Sequence, residues 1–177
     1  MFYLPVEDER YFTKKKRYSQ IEWAKFSKVV DAFGKRIGGW YLQPGKALRK
    51  KWDYSFSLMA INCLLVDCFS EYELGKPGKS TFKTWAKDNI PGFTTALIPT
   101  IKTDNSQQPE LFDIADVFYH GFRCGILHDA HTPLYCGLSP QPNIFKVDPS
   151  KETMYADKSA CPTVHIDLQV LFDHLLD

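Results

Sequence analysis

Phe118 to Thr132, FYHGFRCGILHDAHT, holds three of the chain's five histidines together with Arg123, Cys124 and two glycines four apart. No other stretch sets so many chemically active side chains beside so much apolar surface. With its flank it reads as one helix over 109–131. Pro109 suits a first turn, Glu110 complements the positive end of the helix dipole, and Thr132-Pro133 ends it. At about 100° per residue, Leu111, Ala115, Phe118, Tyr119, Phe122 and Ile126 share one arc, which faces a core. Asp113, Asp116, His120, Arg123, Cys124 and His128 share the opposite arc, with Leu127 among them. Gly121 and Gly125 fall on a strip between the two. Small residues four apart let another segment approach closely. Here that is a dimer contact with a second copy or a close crossing within the chain.

The composition bounds what surrounds this helix. At 177 residues, with 44% hydrophobic and 15% aromatic content, the chain suits one packed domain and not a disordered one. A net charge of +1 gives no global field toward nucleic acid or membrane, so such contacts must come from local patches. Five cysteines (Cys63, Cys68, Cys124, Cys136, Cys161) without a CxxC pair suggest reduced thiols, not a disulfide framework or a zinc ribbon. The opening MFYLPVEDERYF is acidic where a secretory signal is basic, and no run of about eighteen apolar residues occurs. The expectation is a cytoplasmic protein with no membrane partner.

In chain order, residues 1–18 form an arm carrying Lys14, Lys15, Lys16 and Arg17, either solvated and partly mobile or a phosphate-binding arm. A helix is expected over 19–37, capped by Ser19 with Glu22 and ended by Gly38-Gly39. Gln43-Pro44-Gly45 reads as a turn. A second basic cluster follows with Lys46, Arg49, Lys50 and Lys51, a solvated face or an RNA contact. Residues 54–74, capped by Asp53 or Ser55, are apolar nearly all round, the mark of a central buried helix. Asn62, Asp67 and Glu71 interrupt it. A carboxylate there needs a partner, so Asp67 pairs with a basic side chain or supports an active site. GKPGKS at 75–80 follows a helix and lacks phosphate-loop spacing, which excludes that nucleotide motif. A short helix is expected over 80–89, capped by Ser80 or Thr81, then a long connection over 93–108. Strand-like pieces at 144–147, 153–156 and 163–166 suggest a small antiparallel hairpin or sheet, and 167–176 a final helix.

Arg123 and His128 carry the sharpest chemistry. Five positions apart, they lie about 140° round an α-helix and do not stack, but both reach a ligand at the rim of the polar face. Arginine grips phosphate with a planar fork, and histidine moves protons near neutral pH. The pair suits metal-free RNA cleavage, in which a 2′-hydroxyl attacks the adjacent phosphate and arginine stabilises the developing charge. One histidine is half of an acid/base pair, and a second copy of the helix supplies the other. On spacing alone, a solvated arginine and a helix-end histidine account for the same residues. His120, Cys124, His128 and His131, within about 80° of one another, also present a zinc-like set, though without HExxH or CxxC spacing.

Arg123-Cys-Gly-Ile-Leu-His128 resembles the R-x4–6-H motif of HEPN (higher eukaryote and prokaryote nucleotide-binding) domains. The resemblance implies a mainly α fold over 1–177. A HEPN-like bundle of four to five helices would span 19–131, with a small β element and final helix over 134–177 as an addition. It also implies a homodimeric, metal-independent endoribonuclease without cofactor, acting on RNA as a toxin or anti-phage component with an antitoxin as partner. Arg123 and His128 would be the catalytic pair. His120, Asp116, Asp67 and Cys124 would support them, and Lys14–Arg17 with Arg49, Lys50 and Lys51 would meet the RNA backbone. Where the family often has a polar residue after the arginine, this chain has Cys124. The alternative is a catalytically inactive HEPN-like module that binds RNA, nucleotide or protein.

Overall fold

The computed structural model describes residues 11–101, 111–154 and 160–177. Contacts group the chain into two compact units, Met1–Ala47 and Leu48–Asp177, where the sequence reading draws a single domain with an arm over 1–18.

In the first unit Phe12 is buried with Ile21 and Ala32, and Tyr18, Trp23 and Phe33 set their rings edge-on to it at 5.0–5.5 Å. The Arg36 guanidinium lies 4.9 Å from the centre of the same ring and donates to the Phe12 carbonyl at 3.1 Å. Lys14 to Arg17 form a closed turn. Tyr11 bridges Arg17, and Thr13 Oγ1 accepts from the backbone amides of Lys15 and Lys16 at 3.2 and 3.0 Å. The first ten residues of the expected arm lie outside the described residues.

Helix α1 spans Phe26–Ile37, seven residues later than Ser19 suggests. Local bonds compete with the helix before it. Gln20 Oε1 accepts from the Arg17 amide at 2.8 Å, Trp23 Nε1 donates to the Tyr18 carbonyl at 3.0 Å, and Glu22 pairs with Lys25 instead of closing a cap on Ser19. Gly38-Gly39 does not end the helix. A glycine stops a helix by turning left-handed, and Gly38 is helical at φ −56° and ψ −46°. The chain continues through a π-helical turn, Gly38–Leu42, into α2, Gln43–Leu48, so the expected turn at Gln43-Pro44-Gly45 is helical too. Pro44, which has no N–H for an i→i−4 bond, sits directly after that wide turn.

The second unit is built on α3, Ser55–Leu74, which ends at Gly75 in the left-handed region with φ 73°. A 3₁₀ turn over Trp52–Tyr54 precedes it, and no side chain caps it. Leu58, Met59, Cys63, Leu65 and Val66 are fully buried because α3 packs against α4 (Lys79–Asn89), the later π-helical segment and α6 (Leu168–His174). Asn62 keeps its place in this core by donating Nδ2 to the Leu168 carbonyl at 2.9 Å. The rings of Phe82, Phe93 and Phe122 surround Phe118 at 5.2–6.4 Å.

Between 93 and 108 the expected connection contains β1, Ala96–Ile101, and residues 102–108 lie outside the described residues. β1 pairs antiparallel with β2, Leu111–Asp113. That pairing takes the first turn of the expected 109–131 helix. Pro109 and Glu110 lie outside the described residues, and helix α5 starts at Ile114 (Ile114–Val117) with Asp113 as its cap, accepting from the Asp116 amide at 2.9 Å. From Phe118 to Asp129 the helix is π-helical, and Ala130 ends it at φ 56°. The remaining sheet has the order β3-β5-β4. β3 (Cys136–Leu138) runs parallel to β5 (Ala160–Ile166), and β4 (Phe145–Met154) runs antiparallel to it. The expected pieces at 144–147 and 153–156 belong to β4 as far as Met154, and 155–156 lie outside the described residues. Asp167 joins sheet to helix. Its Oδ1 accepts from the amides of Gln169 and Val170 at 2.8 and 2.9 Å, and its Oδ2 from Gln141 at 2.7 Å.

The fold is therefore mainly helical, with a small three-stranded sheet and a final helix. No helix among the described residues is long and apolar enough to cross a membrane.

The glycine strip has its partner within the chain. A Cβ on Gly121 would collide with Cys136 Sγ and stand 3.2 Å from the Tyr135 ring, and one on Gly125 would meet the His131 carbonyl at 2.5 Å. Segment 131–136 thus fills the space assigned from sequence to a dimer contact. Gly121→Ala is expected to cost about 1–3 kcal/mol through overpacking. Gly34→Ala in α1, where nothing lies within 4 Å, is expected to gain up to about 1 kcal/mol. Denaturant midpoints of the two variants and the parent check both signs.

Candidate functional site

A π-helix bonds each amide five residues back, a wider turn than that of an α-helix, which brings side chains five apart nearer to one face. Over Phe118–Asp129 this replaces the α-helical spacing expected from sequence. Arg123 and His128 consequently meet, with Arg123 Nη1 2.8 Å from His128 Nε2. A guanidinium only donates. In this contact His128 Nε2 is therefore the acceptor.

Asp67 on α3 completes the group, accepting from Arg123 Nε at 3.1 Å. The Arg123 carbon Cζ lies 5.6 Å from the centre of the Tyr119 ring. Burial pushes the Asp67 carboxyl above its usual range, more than the charge and hydrogen bond of Arg123 pull it down. At Arg123 burial disfavours the cation, but the Asp67 carboxylate outweighs it and the guanidinium stays protonated. Desolvation of the carboxylate offsets much of what the pair gains. Burial raises the Tyr119 hydroxyl, to which the nearby Cys124 thiol adds, and holds Cys63 behind the site as a neutral thiol.

Beside Arg123 is a cavity of about 210 Å³ lined by Asp67, Ser70, Glu71, Pro77, Gly78, Tyr119 and Arg123. Ser70, Glu71, Tyr119 and the Pro77-Gly78 turn escape the sequence reading as site residues. Helical spacing held the signal: Tyr119 is four before Arg123 and Glu71 four after Asp67. The turn keeps its shape through Gly78, at φ 133° and ψ 170°, a conformation essentially closed to other residues.

The polar arc expected from the wheel divides in two. Asp67, Arg123, Cys124 and His128 gather on the α3 side. Asp116 turns to α4, where it is buried and pairs with Lys83, and Lys87 pairs with Asp113 at 2.6 Å. His120 goes with this second group, between Asp116, Lys79 and Lys83. Its Nε2 is buried and has no hydrogen-bond partner among the described residues. His120 and Asp116 are therefore not neighbours of the Arg123–His128 pair. His131 turns Nδ1 to the Asp129 carbonyl at 3.2 Å. No three His, Cys, Asp or Glu among the described residues are grouped to hold a metal ion.

The basic clusters belong to other elements of the chain. Lys14 to Arg17 belong to the first unit, where Lys14 Nζ donates to Gln43 Oε1 at 3.3 Å. Arg49 pairs with Asp173 on α6, and the Lys51 ammonium lies 5.6 Å from the centre of the Tyr54 ring. Arg49 to Lys51 precede the start of α3, and the rise of an α-helix carries Asp67 about 18 Å beyond Ser55. Within the second unit, Arg49 to Lys51 are not brought to the Arg123 site.

Desolvation, with Lys79 and Lys83, pushes His120 from 6.5 down to about 4. The unfolded chain then binds a proton near pH 6.5 that the folded chain refuses until about pH 4. By linkage, stability is lost as pH falls through that window. Melting temperatures across it are expected to fall more steeply in the parent than in His120→Gln, and equal slopes would remove His120 as the cause. In comparison with known proteins, the chain matches no family model, no curated protein and no solved structure.

Proposed function

We propose that the second unit is a HEPN-type endoribonuclease that cleaves RNA without metal, with Arg123 and His128 as its catalytic pair. The observation that carries this reading is the contact of the two, Nη1 to Nε2 at 2.8 Å, beside a cavity that Arg123 lines. An entering phosphate draws the guanidinium away from Asp67 and His128. His128 Nε2 is then a free base at the moment a phosphate is present. It takes the proton of the 2′-hydroxyl, O2′ bonds to phosphorus, and the P–O5′ bond breaks. Arg123 meets the charge growing on the phosphoryl oxygens. The leaving O5′ takes its proton from a second acid, which this reading assigns to the histidine of a second copy. The products are a 2′,3′-cyclic phosphate and a 5′-hydroxyl.

A second reading is a silent HEPN-like binding module. The hold of Asp67 on Arg123 supports it, because a carboxylate already occupies the place a phosphate needs. Cys124 in place of a polar neighbour supports it as well.

Cleavage is expected to survive EDTA, to leave cyclic phosphate ends, and to fall by about 10²–10⁴-fold in His128→Ala. Arg123→Lys should not restore what Arg123→Ala loses, because an ammonium lacks the planar fork. Loss of activity on chelation, or full activity in His128→Ala, overturns the enzymatic reading. Binding without cleavage in the parent selects the silent module. A solution mass of one copy under assay conditions removes the shared acid/base pair.

A further inference from the structure

The cavity beside Arg123 contains a carboxylate that the cleavage chemistry does not use. Glu71 stands one helical turn beyond Asp67 on the same face of α3 and is half-buried at the cavity wall. Asp67 is engaged by Arg123. Glu73, next along, accepts from Trp85 Nε1 at 2.6 Å. The Glu71 carboxylate has neither an ion pair nor a hydrogen bond among the described residues. It also stands in the last turn of α3, where the negative end of the helix dipole makes an acid unfavourable. A side chain that breaks a local rule without a compensating contact marks a functional position.

The cavity's chemistry states what it takes. Two carboxylates and one guanidinium line it, so its net charge repels a phosphate. Its negative wall asks for a ligand edge rich in N–H donors. Tyr119 supplies aromatic surface, Ser70 offers hydroxyl lone pairs, and Pro77-Gly78 lines another part of the wall. A void of about 150 Å³ admits one aromatic ring, so 210 Å³ suits a single flat heterocycle and excludes a large ligand. Single-stranded RNA is read in this way, by stacking a splayed base on an aromatic side chain and bonding its Watson–Crick edge.

We propose that this cavity is a nucleobase subsite that selects guanine through the Glu71 carboxylate. The proposal rests on the reading of the protein as an RNA-cleaving or RNA-binding module. Guanine alone presents two adjacent donors, N1–H and the N2 amino group, which match the two oxygens of one carboxylate. Adenine and cytosine set a bare ring nitrogen beside their amino group. Uracil places one N–H between two carbonyls. Each of these turns an acceptor toward a carboxylate oxygen. With guanine against Tyr119, the phosphate of the same nucleotide lies on the Arg123 side, outside the acidic wall, where His128 stands. Cleavage then falls beside guanine.

The test uses the full chain and short oligo(deoxyuridine) strands with guanine, adenine, cytosine or uracil at the centre, which lack the attacking 2′-hydroxyl. Binding is read by fluorescence anisotropy. The guanine strand is expected to bind about 10- to 100-fold tighter than the all-uracil strand. Glu71→Gln should abolish that preference while raising the melting temperature, since it removes an unfavourable charge from the end of α3. Equal affinity for all four strands, or a guanine preference that survives Glu71→Gln, overturns the proposal. The corresponding RNA strands separate this from the cleavage reading. Guanine-selective binding with no cleavage keeps the subsite and ends the ribonuclease. Cleavage with no base preference keeps the ribonuclease and ends the subsite.

Discussion

The second unit depends on two missing methyl groups. Gly121 and Gly125 let Tyr135, Cys136 and the 131–133 backbone lie directly on the π-helical segment. The return of the chain at Ala130, whose amide bonds the Gly125 carbonyl, and the parallel start of β3 on β5 follow from that contact. Interiors are packed densely enough that one added carbon must displace a neighbour. The segment's opposite side then has one place to go, against α3 and α4. Phe118 and Phe122 enter the core, and Arg123 faces Asp67.

The elements legible in the sequence are those whose periodicity and end signals agree. The central helix over 54–74 is within one residue, because a continuous apolar surface and Gly75 state the same thing. The short helix before Ile90 and the final helix after Asp167 are close for similar reasons. The errors have physical causes. Ser19 looks like a cap, but Gln20 and Trp23 satisfy the backbone in turns instead. Gly38-Gly39 looks like a stop, but a glycine is free to remain helical. Leu111 to Asp113 carry a helical pattern, but pairing with β1 takes precedence. The third strand, CGL, is too short to show alternation.

Arg123, His128 and Asp67 were legible as residue types on defined elements. Their mutual geometry was not, because the sequence carries no direct mark of π bonding. The α-helical wheel separates Arg123 from His128 and joins His120 and Asp116 to them, and the structure does the reverse on both counts. Charge then sorts the two groups. Lys83 and Lys87 pair with the acids on the α4 side, where burial, with Lys79 and Lys83, disfavours a charge on His120, while the α3 side keeps an arginine shared between a carboxylate and an imidazole.

The wide helical bonding has a consequence for what Arg123 meets. An α-helix over the same residues would set His128 about 140° round from Arg123, and the wider π-helical turn brings the two close enough to touch. Whether this arginine meets an imidazole is therefore decided by the backbone register of one helix, without any change of side chain. The turn count of the helix is itself part of the site's composition.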